Sequence, residues 1–546
     1  MTALLASLIC QWKQLPGDLA VAGVILGGSL FGVPASASNP TLTAEYCASL
    51  GAFGRNAYTY VEGTMTGTVR GTGSYSVPFI LIYPEVGNGV TLVDWPNTVL
   101  YDVYRDKDGN PSLCPHGSRD TGLCKVGSNN STNLLQHFLM KPFGRTQMET
   151  YLYETGYTYF AIQWHKQVTD FHGPTPSDGV TRRQLAFGTI DEATDHWEIL
   201  TDAARVSKEA TSFKGLPNKP AAKYTVMYGF SQTAQLGLRF LSDPAGNHNK
   251  NGASLFYDGF LLVRTVNICE DLANDSTGYT GKPGGPSPGF QYDIPCGIVP
   301  PSGDAKVINI DSEADVLSGG FETRDDQDTN PNYRKWEVAG IAHITGVPGN
   351  FEHLSLGYTH NTIESRQLDR SALAAMKAWL ENDTAPPPST NLSGTIGVDG
   401  FMADRDADGN ILGGLRLPHM RRILTDGNVV GAPMGKYTPL NNRIFENPEC
   451  IMPGQSSGSG LPTEKQAFPA VYAWCRLVNI AGLFEPFNDL ATRYPNEKER
   501  ERLILASADA LIAERYVLER DRESFLFPAA PDVPEPPVGP LTLPSW

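Results

Sequence analysis

One junction in the middle of the chain constrains the fold more than any other segment. Residues 223–228, KYTVMY, are apolar and β-rich, which is typical of a buried strand. They run directly into GFSQTAQLGLRFL, whose apolar residues recur with helical spacing from Thr233 onward. The segment therefore predicts a strand, a sharp turn with Ser231 at its tip, and a helix.

Strands and helices alternate around that junction. The predicted strands cover residues 77–83, 156–164, 223–228, 254–263, 306–310 and 336–338, and a hairpin is expected within 38–75. The predicted helices cover residues 191–210, 371–381, 465–482 and 497–516. This alternation favours an α/β fold with a mostly parallel central sheet and helices on both faces.

The amino-terminal end reads as an export signal. Lys13 precedes an apolar run of about 15 residues, shorter than a comfortable bilayer span, and the small triplet Ala35-Ser36-Ala37 follows. We therefore expect a signal peptide at residues 1–37, a secreted or periplasmic protein, and no stable membrane insertion after cleavage. An uncleaved anchor helix is the alternative.

Composition divides the rest of the chain. Residues 38–385 hold the alternating pattern and form the predicted core, and residues 386–530 form a predicted extension packed on it. Residues 531–546 are a Pro-rich tail. Within the core, residues 264–303 are a Gly- and Pro-rich insertion bounded by cysteines. It lies between two predicted strands of the α/β fold, where insertions often form a lid, and we therefore expect a lid there.

Seven of the eight cysteines follow the expected signal peptide. In an oxidising compartment the pairs nearest in sequence are Cys114–Cys124, Cys269–Cys296 and Cys450–Cys475. This scheme leaves Cys47 unpaired, and spacing alone does not establish the connectivity.

Charge and motifs exclude several classes of function. The formal net charge of −16 disfavours nucleic acid and anionic membranes as partners. The chain has no P-loop, dinucleotide fingerprint, HExxH or CxxC, so we expect no cofactor and no metal. Residues 404–409, DRDADG, begin like a calcium loop, but Leu415 stands where the last ligand should be, and a β-turn is favoured.

The junction at Ser231 has the composition of a nucleophile turn. A serine hydroxyl needs a base, a group that orients the base, and donors for a developing oxyanion. A sharp strand-to-helix turn projects such a hydroxyl and needs small residues two positions to either side. Gly229 meets that need, whereas Thr233 stands in the second position.

The partners of Ser231 are expected further along the chain. Asp315 follows the predicted strand KVINI and is the preferred acid, with Glu313 as the alternative acid. His343 follows WEV and is the preferred base, since the order serine, acid, histidine suits this kind of fold. The backbone N–H of Gln232 is one expected oxyanion donor. The other is expected in the loop after VPFILIY, at Gly87.

Several of these segments together resemble the α/β-hydrolase domain family, a large bacterial group. The segments that carry the resemblance are YLYETGYTYFAIQW, YGFSQTAQLGLRFL, SEADVL, WEVAGIAH, DRDADGNILGGLRLPHM and LFEPFNDLATRYP. The resemblance implies an α/β-hydrolase fold, hydrolysis of small carboxylic esters, and a triad of Ser231, Asp315 and His343. An acyltransferase, a lactonase or a peptidase with the same triad, or an inactive hydrolase-like binding protein, are the alternatives.

Overall fold

A computed structural model of the protein describes a set of segments spread over most of the chain. They are residues 40–53, 56–69, 73–96, 104–105, 111–112, 151–162, 192–209, 219, 222–242, 257–265, 305–317, 324, 330–343, 359–360, 363, 365–397, 400–420, 423–425, 428–438 and 483–526.

A nine-stranded sheet runs through the molecule, in the order β1-β2-β3-β7-β4-β8-β9-β10-β11. Its strands are β1 (Thr41–Phe53), β2 (Asn56–Val69), β3 (Gly73–Pro84), β4 (Val90–Trp95), β7 (Thr158–Ile162), β8 (Tyr224–Phe230), β9 (Gly259–Val263), β10 (Lys306–Ser312) and β11 (Tyr333–Val338). The strands from β7 to β11 in that order pair in parallel, whereas β1, β2 and β3 pair antiparallel. The predicted mostly parallel sheet is therefore confirmed.

Helices cover both faces of this sheet, as predicted. On one face, α1 (Glu192–Glu209) and α2 (Gln232–Ser242) pack apolar residues against Met227, Phe260 and Leu262. On the other face, α4 (Arg366–Asn382) packs against Leu261 and Ile308. Because both faces are covered, the central strands are buried without alternation, as their continuous apolar sequences predict.

The described part of residues 386–526 packs on the α4 face. Its elements are β13 (Gly394–Gly397), β14 (Gly400–Ala403), β15 (Ile423–Thr425), β16 (Asn428–Val430), β17 (Gly435–Thr438), β18 (Leu483–Pro486), α5 (Leu490–Arg493), α6 (Glu497–Ala513) and a 3-10 helix at Glu519–Leu526. The ring of Tyr516 lies 5.3 Å from that of Trp336 on β11. The hydroxyl of Ser371 donates to the Tyr516 carbonyl at 2.6 Å. The extension therefore shares its apolar core with α4 and β11.

The remaining short elements are the strand pair β5 (Tyr104–Arg105) and β6 (Pro111–Ser112), the strand β12 (Thr359–His360), which pairs with β18, and the helix α3 (Glu313–Leu317). Within the described segments, no helix is long and apolar enough to cross a bilayer.

Several sequence predictions lie outside the described residues. They are the signal peptide at 1–37, the lid candidate at 264–303 beyond residue 265, the helix at 465–482, the tail at 531–546 and the three proposed disulfides. Those predictions stay as they were stated.

Candidate active site

Ser231 lies between the last residue of β8 and the first residue of α2. Its φ angle is 60°, in the left-handed region that a residue with a side chain rarely adopts. Such a conformation costs about 1–3 kcal/mol and persists only where the surrounding structure enforces it. The Ser231 N–H donates to the Val263 carbonyl at 2.9 Å, and the Ser231 carbonyl accepts from the N–H of Ala234 at 3.0 Å. The predicted sharp turn is therefore present, with the serine side chain at its tip.

Gly229 is required by the crowding inside this turn. A Cβ at position 229 would lie 2.6 Å from the Thr233 carbonyl oxygen and 2.7 Å from the Ala234 nitrogen. Both neighbours are backbone atoms of α2, so neither could move without unwinding the first turn of the helix. The small residue expected two positions before the serine is thus explained by contact with the helix.

Thr233, the unusual residue of the turn, stabilises it with its hydroxyl. The Thr233 Oγ1 accepts from the Phe230 N–H at 2.9 Å and donates to the Phe230 carbonyl at 3.1 Å. Thr233 is fully buried, so these groups have no access to water. The side chain therefore satisfies both polar backbone groups of the residue before Ser231.

Replacing Thr233 by valine tests this contact. Valine has nearly the same shape but cannot accept from the Phe230 N–H, so the T233V variant should lose about 1–3 kcal/mol of unfolding free energy. Urea denaturation measures that loss. Serine retains the hydroxyl, so T233S should recover most of it, apart from the cost of the missing methyl group. Equal stability of T233V and the wild type would show that the hydroxyl contributes nothing.

The structure brings together Ser231, His343 and Asp315, although 112 residues separate the first two in sequence. The His343 Nε2 lies 2.8 Å from the Ser231 Oγ, and the His343 Nδ1 lies 2.6 Å from the Asp315 Oδ1. The three residues follow β8, β11 and β10, whose carboxyl ends meet at one edge of the parallel sheet. This arrangement can pass a proton from the serine hydroxyl to the imidazole.

Asp315 is held as a carboxylate by the groups around it. Burial on its own would raise the pKa of Asp315, but His343, the Arg264 guanidinium and the Ser312 hydroxyl together lower that pKa below its usual value. The Asp315 Oδ2 accepts from the Ser312 N–H at 3.0 Å and from the Ser312 hydroxyl at 2.5 Å. Asp315 is therefore ionised at neutral pH and fixed in orientation, so that its Oδ1 remains for the imidazole.

Glu313, the alternative acid, lies in the same short helix but points elsewhere. Its Oε2 accepts from the Gly340 N–H at 2.8 Å, and its Oε1 lies 3.1 Å from the Arg405 Nη2. Burial raises the pKa of Glu313, and Arg405 opposes that rise. The carboxylate that contacts the imidazole is thus that of Asp315, and the sequence alternative Glu313 contacts the backbone of the histidine-bearing loop.

Gly87 does not lie near Ser231, and its prediction as an oxyanion donor is wrong. In its loop, the Asn88 N–H donates to the Gly156 carbonyl at 2.8 Å, and the Gly89 carbonyl accepts from the Lys223 N–H at 2.7 Å. These contacts place the loop at the amino ends of β7 and β8. Since a strand rises about 3.3 Å per residue, the seven residues of β8 put it roughly 20 Å from the serine.

The physical reason for this error is the direction of β3, which contains VPFILIY. β3 runs antiparallel to β7, so its carboxyl end points to the edge of the sheet opposite the serine. The strand with the required direction is β4, VTLVDW, which the sequence prediction missed. Trp95 pairs with Gly229, so the chain leaves β4 next to the serine turn. An apolar, β-branched run directly after the turn-rich PEVGNG was the signal that could have identified β4.

Gln232 lies where the first expected oxyanion donor should be. It is the first residue of α2, and an amide at that position has no acceptor within its own helix. The positive end of the helix dipole also lies there, which favours negative charge. The backbone N–H of Gln232 can therefore donate to an oxyanion formed beside Ser231.

Comparison with known proteins places the chain in a family. The model of a family described as "alpha/beta hydrolase domain" matches residues 140–526, more than half of the chain. No curated protein matches the sequence.

The chain is also similar to solved structures of esterases. The rice cell wall degrading esterase LipA from Xanthomonas oryzae is 10% identical with a TM-score of 0.25, and the match covers 42% of this chain and 51% of that chain. This chain therefore spans about half the length of LipA. A promiscuous CE15 esterase from the marine bacterial metagenome is 11% identical with a TM-score of 0.28, and the match covers 54% of this chain and 72% of that chain. Acetyl xylan esterase 1 from Thermoanaerobacterium sp. JW/SL YS485 is 11% identical with a TM-score of 0.25, and the match covers 55% of this chain and 80% of that chain. At these TM-scores the three esterases say nothing about the substrate of this chain.

Proposed function

Because this chain belongs to the alpha/beta hydrolase domain family, we propose that it is a serine hydrolase that cleaves carboxylic esters. Its α/β-hydrolase fold follows from the family match and from the mostly parallel sheet between two layers of helices. One observation supports the proposal above all others, namely the chain of contacts from Ser231 through His343 to Asp315 at a strained turn.

In the proposed mechanism, Ser231 attacks the ester carbonyl while the His343 Nε2 takes its proton. Asp315 keeps the proton of the imidazole on Nδ1 and stabilises the imidazolium that forms. The Gln232 N–H donates to the oxyanion of the tetrahedral intermediate. The imidazolium then protonates the leaving alcohol, and an acyl-enzyme remains on Ser231. A water molecule, activated by His343, hydrolyses that ester and restores the serine.

The second oxyanion donor is proposed to come from the segment that follows β4. Trp95 lies beside Gly229, so the chain leaves β4 next to the serine turn. This segment replaces the loop at Gly87 in the proposed mechanism, and its residues beyond Pro96 lie outside the described part of the chain.

The cellular location and the substrate class of this activity are also proposed. We expect export under the signal at residues 1–37, a secreted or periplasmic location, and small-molecule esters as the substrate class. The acidic net charge of −16 supports the absence of nucleic acid among its partners.

Hydrolysis of a series of p-nitrophenyl esters tests the proposal. The purified chain should release p-nitrophenol from acyl groups of two to eight carbons, and the rate profile should identify the preferred length. Product analysis with water and with an alcohol acceptor then separates a hydrolase from an acyltransferase, and lactone and peptide substrates test the remaining alternatives. No turnover of any acyl substrate would favour the inactive binding protein.

A further inference from the structure

The loop that carries His343 packs against the carboxy-terminal extension. This histidine loop, residues 339–343, begins where β11 ends. The Ala339 N–H donates to the Leu415 carbonyl at 2.9 Å, and Leu415 pairs in parallel with Val338. The extension therefore forms a parallel β-bridge with the last residue of β11, immediately before the histidine loop.

Gly340 is the point of closest contact with the extension. Its φ angle is 70°, and a Cβ at this position would lie 2.5 Å from the Met420 sulfur. Its N–H donates to the Glu313 carboxylate at 2.8 Å. Met420 thus packs against Gly340 in the histidine loop, and the Glu313 carboxylate binds the backbone N–H of the same glycine.

Glu313 is in turn held by arginine from the same extension. Glu313 is fully buried, and the Arg405 Nη2 lies 3.1 Å from its Oε1. Burial raises the pKa of Glu313, and Arg405, the Gly340 N–H and Arg416 each oppose that rise. Because a buried carboxylate without a partner is costly, the contact with Arg405 favours the charged form of Glu313, whose Oε2 accepts from the Gly340 N–H.

The turn at residues 404–409 holds Arg405 in place. The Asp406 Oδ1 accepts from the N–H groups of Asp408 and Asn410, at 3.0 and 2.9 Å. The Asp408 carboxylate binds Arg493 of α5 through two contacts of 2.7 and 2.8 Å. The β-turn favoured from the sequence is therefore present, and Asp406 and Asp408 fix the loop that carries Arg405.

We propose that Glu313 and Arg405 are positioning residues that set the place of the His343 imidazole relative to Ser231. This inference rests on the proposed function of the triad. Arg405 holds Glu313, Glu313 holds the Gly340 N–H, and the loop then places the His343 Nε2 within 2.8 Å of the serine hydroxyl. The carboxy-terminal extension is accordingly part of the catalytic apparatus.

Substitution of Glu313 by alanine should lower kcat while leaving substrate binding almost unchanged. The Gly340 N–H loses its acceptor, and a displacement of the histidine loop by about 1 Å is enough to cost about 10²-fold in kcat. KM should stay within about threefold, since the Glu313 side chain is fully buried. In the same assay, R405M should lower kcat by about tenfold, and R405K, which keeps the charge, should recover most of that loss.

A spectroscopic readout separates positioning from general destabilisation and from the proposed function itself. The Nδ1–H proton between His343 and Asp315 should give a downfield proton NMR resonance, assigned by its loss in H343Q. That resonance should shift or broaden in E313A and R405M and stay unchanged in D521N, where another buried carboxylate loses its pairing with Arg370.

Together, kcat and the NMR resonance separate a positioning role of Glu313 and Arg405 from a purely structural one. Lower kcat with an altered resonance in E313A or R405M, and normal values in D521N, would support the inference. An unchanged resonance and kcat would overturn it, as would equal losses of kcat in E313A and D521N. If E313A does not fold, R405M decides, because Arg405 is partly exposed. If the wild type has no activity that depends on Ser231, the proposed function fails, while the resonance still tests the positioning.

Discussion

Replacement of Ser231 by alanine is expected to lower kcat for p-nitrophenyl butyrate by roughly 10⁵-fold or more. The acyl-enzyme cannot form without the hydroxyl, and only background catalysis by the oxyanion donors and by binding remains. Steady-state kinetics of the purified variant measures the effect, with the wild type assayed on the same day and in the same buffer.

A matched control separates this loss from misfolding. Ser371 is buried, and its hydroxyl donates to the Tyr516 carbonyl at 2.6 Å rather than to a member of the triad. S371A should therefore lose stability in urea but keep the wild-type kcat. S231A should keep the circular dichroism spectrum of the wild type. Activity of S231A above 1% of the wild-type value would remove Ser231 from the mechanism.

Replacement of Asp315 by asparagine should lower kcat by about 10⁴-fold. The Ser312 N–H at the Oδ2 position requires an acceptor there, so the asparagine amide would turn its NH₂ group toward the imidazole. The His343 Nδ1 would then have to accept, its proton would move to Nε2, and the nitrogen facing Ser231 could no longer take a proton. The measurement is kcat of D315N.

Comparison of kcat in D315N and E313A also decides whether Asp315 or Glu313 is the acid of the triad, since the sequence allowed both. E313A is expected to lose only about 10²-fold in kcat, because Glu313 acts through the backbone of Gly340 rather than on the imidazole. A D315N variant within tenfold of the wild type, together with an inactive E313A, would transfer the role of the acid to Glu313.

The turn at Ser231 could be predicted because its signals are local. A β-rich run, a glycine and a helical repeat adjoin one another, and steric crowding dictates the glycine. The positions of Asp315 and His343 could be predicted for a related reason, since each directly follows an apolar strand of a parallel sheet. The carboxyl ends of such strands meet at one edge, whichever residues lie between them.

The oxyanion loop could not be predicted by this reasoning because strand direction is not a local property. VPFILIY is as apolar as a parallel central strand, yet β3 runs antiparallel between β2 and β7. The contacts of Arg405 could not be foreseen either. Arg405 lies 92 residues from Glu313, and nothing in the charge pattern of DRDADG indicates which carboxylate the arginine reaches.

Location of a covalent adduct tests the role of Ser231 most directly. The wild-type chain should be treated with a fluorophosphonate, digested, and mapped by mass spectrometry. A single adduct on Ser231, absent from S231A and much slower to form in H343Q, is the predicted result. No adduct, or an adduct on another residue that persists in S231A, would contradict Ser231 as the nucleophile.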